Sequence, residues 1–329
     1  MDKKEIRIGV LGAGGNIGHT HSENIALYTD GARLEAVYDL NEERAKEIAE
    51  RYGARTTGSA EELIEDPDID AVVIASWDGT HADLAIKCIH AGKPVFCEKP
   101  LATTLKDAEA VVKAEKECGK RLIQVGFMRR FDPDYIKMKN IIDSGELGAP
   151  LMAHCISRTR SHPKNHTTEQ HITNIAIHEI DICRYLFGED ICDVSVRFPR
   201  STQFAEGLCK DPQLVLMQSE SGVLVDVEVS GNSYYGYEIL CEVVCEKGTI
   251  RLPSSAEPIV RSYLQCSQAV PEDWTERFVT AYRNEIQHWT DYIRGLTDEP
   301  GPGTEDGFAA CKVSDALIKA QKTGIWETV

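Results

Sequence analysis

The stretch Ile6-Arg7-Ile8-Gly9-Val10-Leu11-Gly12-Ala13-Gly14-Gly15-Asn16-Ile17-Gly18 decides how the first half of the chain is read. It opens as an aliphatic, strand-like run, passes through a cluster of glycines and continues as a helix, so a strand enters a tight turn that feeds a helix. At such a turn the glycines bring backbone N–H groups and the helix N-terminus close to a pyrophosphate. The third glycine is displaced, because Ile17 stands five positions after Gly12 and Gly18 comes one later. A glycine-rich turn that holds no ligand is the alternative.

Working outward, the β–α rhythm persists to residue 127. A second strand covers residues 34–39 and is followed by a helix that Asn41 opens, with Glu42 and Glu43 in its first turn and Gly53 beyond its end. Ser59-Ala60-Glu61-Glu62 is a capping box for the next helix, and residues 71–75 are a nearly unbroken apolar strand. A helix over residues 82–91 stops at Gly92, and residues 94–97 form a strand. Thr104 then opens a helix that runs to Cys118, and residues 121–127 form the next strand. This alternation predicts an α/β fold, a doubly wound parallel sheet with helices on both faces.

Beyond residue 127 the pattern changes. A helix near 134–143, a strand near 151–158 and a helix over 174–187 precede strands at 194–198, 214–219, 223–229, 237–245 and 249–252. That order predicts a second, α+β domain with a largely antiparallel sheet. Phe278, Tyr282, Ile286, Trp289 and Ile293 form one apolar helical stripe, and a last helix over 305–322 follows Pro300-Gly301-Pro302-Gly303.

Composition removes several classes of function. With 36 basic and 53 acidic residues among 329 the net charge is -17, which disfavours nucleic acid and anionic membranes. Hydrophobic residues make up 42%, and no run approaches the length of a membrane helix. Met1-Asp2-Lys3-Lys4-Glu5 leads straight into the first strand, so no signal peptide is expected and the cytoplasm is the expected compartment. The eleven cysteines lack a C-x-x-C pair and read as reduced, buried thiols. Cys241 and Cys245 would share one face of a strand.

Two residues after strands carry ligand chemistry. Asp39 ends the second strand 27 residues after Gly12, where a carboxylate accepts hydrogen bonds from an adenosine ribose and repels a 2′-phosphate. Leu40 and Asn41 follow without an arginine, so NAD is preferred to NADP. The alternative, that Asp39 only starts a helix, is a task Asn41 already fills. Cys97-Glu98-Lys99-Pro100 follows a strand in the half of the sheet where α/β folds bind ligands beyond the carboxyl ends. Lys99 there either reaches nicotinamide and substrate together or is a solvated lysine before a turn.

The quoted glycine turn, Glu98-Lys99-Pro100, Gly126-Phe127-Met128-Arg129-Arg130-Phe131-Asp132, and Ile177-His178-Glu179-Ile180-Asp181 with Arg184-Tyr185-Leu186 together resemble the Gfo/Idh/MocA oxidoreductases, and within them the inositol dehydrogenases. The resemblance covers nearly the whole chain. It implies a Rossmann domain at 1–127 that binds NAD, and at 128–329 a substrate-binding and oligomerisation domain on an open mixed sheet. It also implies a homo-oligomer, tetramer or dimer, acting on a cyclic polyol or sugar. Cofactor contacts are expected from Gly12, Gly14, Gly15, Asn16, Ile17 and Asp39. Leu40, Ser76, Trp77, His81, Glu98 and Lys99 are expected to join them. By the same resemblance Lys99 bridges cofactor and substrate, and His178 is the general base for the hydroxyl proton. Histidine has the unperturbed pKa nearest neutrality, and an ammonium stabilises a developing alkoxide. Met128, Arg129, Ser157, Thr159, Asp181 and Tyr237 are expected around the substrate.

Two departures from the inositol dehydrogenase pattern stand out. Asn174 replaces an aspartate four residues before His178 and cannot lend it negative charge, although its amide still hydrogen-bonds a hydroxyl. Ser157 and Thr159 replace a histidine and an asparagine, which reshapes the pocket and implies a hydroxyl pattern unlike that of myo-inositol. His154, His162, His166, His171 and His178 fall within 25 residues, yet no metal is expected, because His162-x-x-x-His166 reads as loop without an acidic pair at ligand spacing. Two rival functions remain. One is glycoside cleavage through transient NAD redox, and the other is a non-catalytic nucleotide-binding sensor.

Overall fold

A computed structural model describes residues 5–205, 207, 209–253 and 258–329. The first four residues, part of the argument for a missing signal peptide, lie outside the described residues. The chain divides into two compact units, residues 1–131 with 280–311, and residues 132–279 with 312–329.

The first unit is built on six parallel strands. In chain order its elements are β1 (Ile6–Leu11), α1 (Asn16–Leu27), β2 (Ala32–Tyr38), α2 (Glu42–Tyr52), β3 (Arg55–Thr56), α3 (Ala60–Glu65) and β4 (Ala71–Ile74). Then come α4 (His81–His90), β5 (Val95–Glu98), α5 (Leu105–Cys118) and β6 (Ile123–Gly126). The strand order β3-β2-β1-β4-β5-β6 reverses direction beside β1, the switch point at which open α/β sheets bind ligands. The local signals act as their chemistry requires. Asn41, Ser59 and Thr104 each accept a backbone N–H through the side chain at a helix start, and Gly53 and Gly119 end α2 and α5 in the left-handed region. β4 is buried along its whole length, as a central parallel strand must be.

The second unit contains α6 (Pro133–Ser144), β7 (Pro150–Arg158), a π-helical turn at His171–Ala176 and α7 (Ile177–Phe187). The strands β8 (Ile191–Arg197), β9 (Gln213–Ser219), β10 (Leu224–Ser230), β11 (Glu238–Cys245) and β12 (Gly248–Arg251) follow. A hairpin of β13 (Ile259–Ser262) and β14 (Gln265–Gln268) precedes α8 (Trp274–Ile293), α9 (Thr304–Thr323) and β15 (Glu327–Thr328). Its main sheet runs β12-β11-β7-β10-β9-β8-β15, with β7 and β10 parallel and every other neighbouring pair antiparallel. It is the open mixed sheet expected. Burial alternates along β11, and Cys241 and Cys245 both fall on its buried face. The buried positions Ile177, Ile180, Cys183 and Leu186 give α7 its inward stripe.

The tail departs from a single cut at residue 127. Ile286 and Trp289 belong to the core of the first unit with Val10, Val73 and Phe96, so residues 280–311 fold there. The apolar stripe was visible in the sequence, but the surface it covers was not. Among the described residues no helix is long and apolar enough to cross a membrane.

Candidate functional site

The glycine turn after β1 is shaped by steric need. Gly12 has φ +85°, and a Cβ there would lie 2.5 Å from the Ser76 Cα. A Cβ on Gly18 would come within 2.0 Å of the Gly12 carbonyl oxygen, so the displaced third glycine still does what the motif asks, letting α1 press onto the turn. The N-terminus of α1 has no side-chain cap, which leaves its backbone N–H groups for an anion.

Asp39 holds this turn from the end of β2. Its Oδ2 accepts the Gly14 N–H at 2.8 Å and its Oδ1 accepts the Asn41 N–H at 2.8 Å, while Asn41 itself caps α2. Leu40 and Trp77 are 90% and 77% exposed and follow the ends of β2 and β4, the two strands flanking β1. An uncapped helix N-terminus, a glycine cradle, a carboxylate and exposed apolar side chains suit a dinucleotide. Sequence reading missed Arg44, whose guanidinium donates to the Gly14 carbonyl oxygen at 3.1 Å. The signal was an arginine five residues beyond Asp39, on the second residue pair of a helix rather than directly after the strand.

Two residues expected at the cofactor have side chains turned inward. His81 is 1% exposed, and its nitrogens face the carbonyl oxygens of Pro100 at 2.7 Å and Ser76 at 3.1 Å. It braces the segment after β4 against the turn after β5. Glu98 is 5% exposed, accepts the Lys99 N–H at 3.1 Å and pairs with His21 Nε2 at 2.7 Å. Glu98 therefore fixes the Lys99 backbone, and the His21 imidazole ties that carboxylate to α1. Glu285 completes this buried group, with ligand atoms of all three within 4.8 Å of one another. Burial, and then the Glu98 charge, raise the Glu285 carboxyl well above the usual range. Ser76 hydrogen-bonds Thr80 at 2.6 Å. Met128 and Arg129, in a short 3-10 turn after β6, are 3% and 2% exposed.

The remaining expected residues lie in the second unit. Ser157 is buried on the face of β7 that carries Cys155, which contacts Cys183 of α7, and Thr159 donates its N–H to Ser230 at 2.8 Å. Asn174 is half-buried within the π-helical turn, its Oδ1 accepting the Thr173 hydroxyl at 3.2 Å, and half-buried His178 stands in the first turn of α7. The sequence pattern predicted one regular helix over 174–187, whereas the widened π turn changes geometry between these two residues. Asp181 is buried in α7. Tyr237 is 7% exposed and borders a cavity of about 440 Å³ together with Tyr235, Pro271 and Arg277; that lining does not include Ser157, Asn174 or His178.

These features define a dinucleotide-binding oxidoreductase fold with a second, mixed-sheet domain. Comparison with known proteins agrees at both halves. Residues 6–127 match the family model described as an oxidoreductase family with an NAD-binding Rossmann fold, and residues 135–251 match the GFO/IDH/MocA C-terminal domain. The chain belongs to the GFO/IDH/MocA oxidoreductase family. It is 42% identical to an inositol 2-dehydrogenase of Klebsiella pneumoniae over 97% of this chain and 94% of that protein. It resembles the structure of myo-inositol dehydrogenase from Lactobacillus casei in complex with NAD(H) and myo-inositol, with TM-score 0.94, 33% identity, and coverage of 98% of this chain and 96% of that one. A scyllo-inositol dehydrogenase of the same organism, with NAD(H) and scyllo-inositol, gives TM-score 0.90 at 25% identity and 99% coverage of both chains.

Proposed function

We propose that this oxidoreductase oxidises, reversibly, a secondary hydroxyl of an inositol or closely related cyclic polyol. The observation that carries the proposal is the 42% identity to an inositol 2-dehydrogenase along 97% of the chain; the Glu98-Lys99-Pro100 and His178-Glu179-Ile180-Asp181 segments support it. NAD, when bound, accepts the hydride. The protein's own groups manage the proton and the charge. His178 accepts the hydroxyl proton, the Lys99 ammonium stabilises oxygen charge as it develops, and Asn174 hydrogen-bonds a neighbouring hydroxyl. Glu98 holds the Lys99 backbone through the N–H. Asn174, Ser157 and Thr159 favour a hydroxyl pattern other than that of myo-inositol.

The protein acts as a homo-oligomer, a tetramer or a dimer. Support comes from the β13–β14 hairpin, whose Ile259, Val260, Tyr263 and Leu264 are all more than half exposed. A cytoplasmic setting suits its cysteines, all of them free thiols. An NADH absorbance screen over inositol isomers, aldoses, sugar acids and glycosides tests the activity, with Lys99→Ala as the blank. NADH formation on at least one cyclic polyol supports it. Tight NAD binding without turnover on any of them contradicts it.

A further inference from the structure

In the second unit the segment before the π-helical turn brings three histidines together with a thiol and a carboxylate. The His162 and His166 rings stack at 4.5 Å between centroids, and His171 stands edge-on to both at 5.7 and 4.9 Å. Ligand atoms of His162, His171 and Cys209 lie within 4.8 Å of one another. Cys209 and Asp211 reach the cluster from 38 to 40 residues away, which is why spacing along the sequence gave no sign of it.

The hydrogen bonding is poor for so buried a group. His171 is fully buried, yet its Nδ1 has only long contacts, 3.4 Å to the Thr167 carbonyl oxygen and 3.8 Å to Cys209 Sγ. Among the described residues the buried His166 Nε2 has no hydrogen-bond partner, and leaving a buried nitrogen unsatisfied is unfavourable. His162 holds the tautomer that a metal requires, because Nδ1 faces the Pro163 carbonyl oxygen at 2.9 Å and leaves the Nε2 lone pair, now facing the Asn232 amide nitrogen at 2.8 Å. Gly231 makes room for the rings, since a Cβ there would lie 2.5 Å from His162 Cδ2 and 2.9 Å from His171 Nε2.

A supporting shell is also present. Asp211 Oδ1 lies 3.2 Å from His171 Nε2, and the same carboxylate accepts the Gly231 N–H at 3.0 Å and the Asn232 amide at 2.9 Å. A carboxylate behind the outer nitrogen of a ligating imidazole orients the ring and raises its basicity.

We propose that His162, His171 and Cys209 bind one zinc-class divalent ion, with a water as the fourth ligand and Asp211 orienting His171. Two imidazoles with a thiolate are the nitrogen and sulfur donors that select zinc among the common divalent ions. Cys209 gives up its proton on binding, and the thiolate with the Asp211 carboxylate balances the two positive charges. The ion is structural and pins residues 162–171 to the segments 209–211 and 231–232.

The test is metal content of the untagged full-length protein, purified without chelator and measured by mass spectrometry, followed by stripping and titration with Zn²⁺ and Co²⁺. About one zinc per chain is expected, with a thiolate-to-cobalt charge-transfer band in the Co²⁺ form. Cys209→Ser should remove that band, and His171→Gln should cut zinc content at least about fivefold, each variant being checked for native circular dichroism. If either variant fails to fold, the parent's cobalt spectrum decides. A folded parent that takes up neither ion, a cobalt form without the thiolate band, or full zinc content in both folded variants overturns the proposal.

Discussion

Glu285 is fully buried and, among the described residues, has no hydrogen-bond partner on either carboxyl oxygen; it shares its site with the charge of Glu98. Its folded-state pKa is raised, so the folded protein holds that proton more tightly than the unfolded chain does. Stability from this group is present at and below the ordinary carboxylate pKa and is lost as pH rises toward the raised value. Glu285→Gln keeps the neutral form at every pH. Urea unfolding across a pH series should show the variant gaining on the parent as pH rises, and parallel curves would refute the assignment. At Asp39, loss of the carboxylate removes the group that repels a 2′-phosphate and leaves Arg44 beside Gly14. Asp39→Ala should lower the NAD-to-NADP preference at least about tenfold, read from Kd for the two nucleotides; an unchanged ratio removes the ribose assignment. Asn174→Asp should move the acidic limb of the kcat/KM pH profile for hydroxyl oxidation upward by giving His178 an anionic neighbour, without changing the melting temperature. A profile identical to the parent's would place Asn174 away from the reacting centre.

At the scale of elements, close approach and capping are where the sequence speaks most directly. Gly18→Ala sets a methyl against the Gly12 carbonyl oxygen. The expected loss is about 1–3 kcal/mol of stability together with weaker NAD binding, measured by thermal unfolding with and without nucleotide. A variant with parental stability and affinity would show that α1 can back away from the turn. Asn41, Ser59 and Thr104 cap the helices they were expected to open, because a capping side chain acts on atoms two or three residues away. The π-helical turn at His171–Ala176 was not legible, since no residue type in it marks the extra residue that widens the turn. The β13–β14 hairpin was missed because every residue in it is exposed, so no hydrophobic alternation marks it. His81 and Glu98 were read from their places in the motif, and only coordinates show that their side chains turn inward, onto the carbonyl oxygens of Ser76 and Pro100 and onto the Lys99 N–H.

For the whole molecule, two rhythms in the sequence predicted two domains correctly in type, a doubly wound parallel sheet and a mixed one. The return of residues 280–311 to the first unit depends on contacts between distant segments, as does the gathering of Cys209 with His171. In the proposed function Lys99 and His178 serve one hydroxyl. Its most direct test is the initial rate of NADH formation on the best cyclic polyol for the parent, Lys99→Ala, His178→Ala and the double variant. Each single variant should lose at least about 10²-fold in kcat/KM with native circular dichroism retained, and the double variant should be little worse than the weaker single, as residues acting as a unit require. Either single variant within about tenfold of the parent, or losses that simply multiply in the double variant, would contradict it.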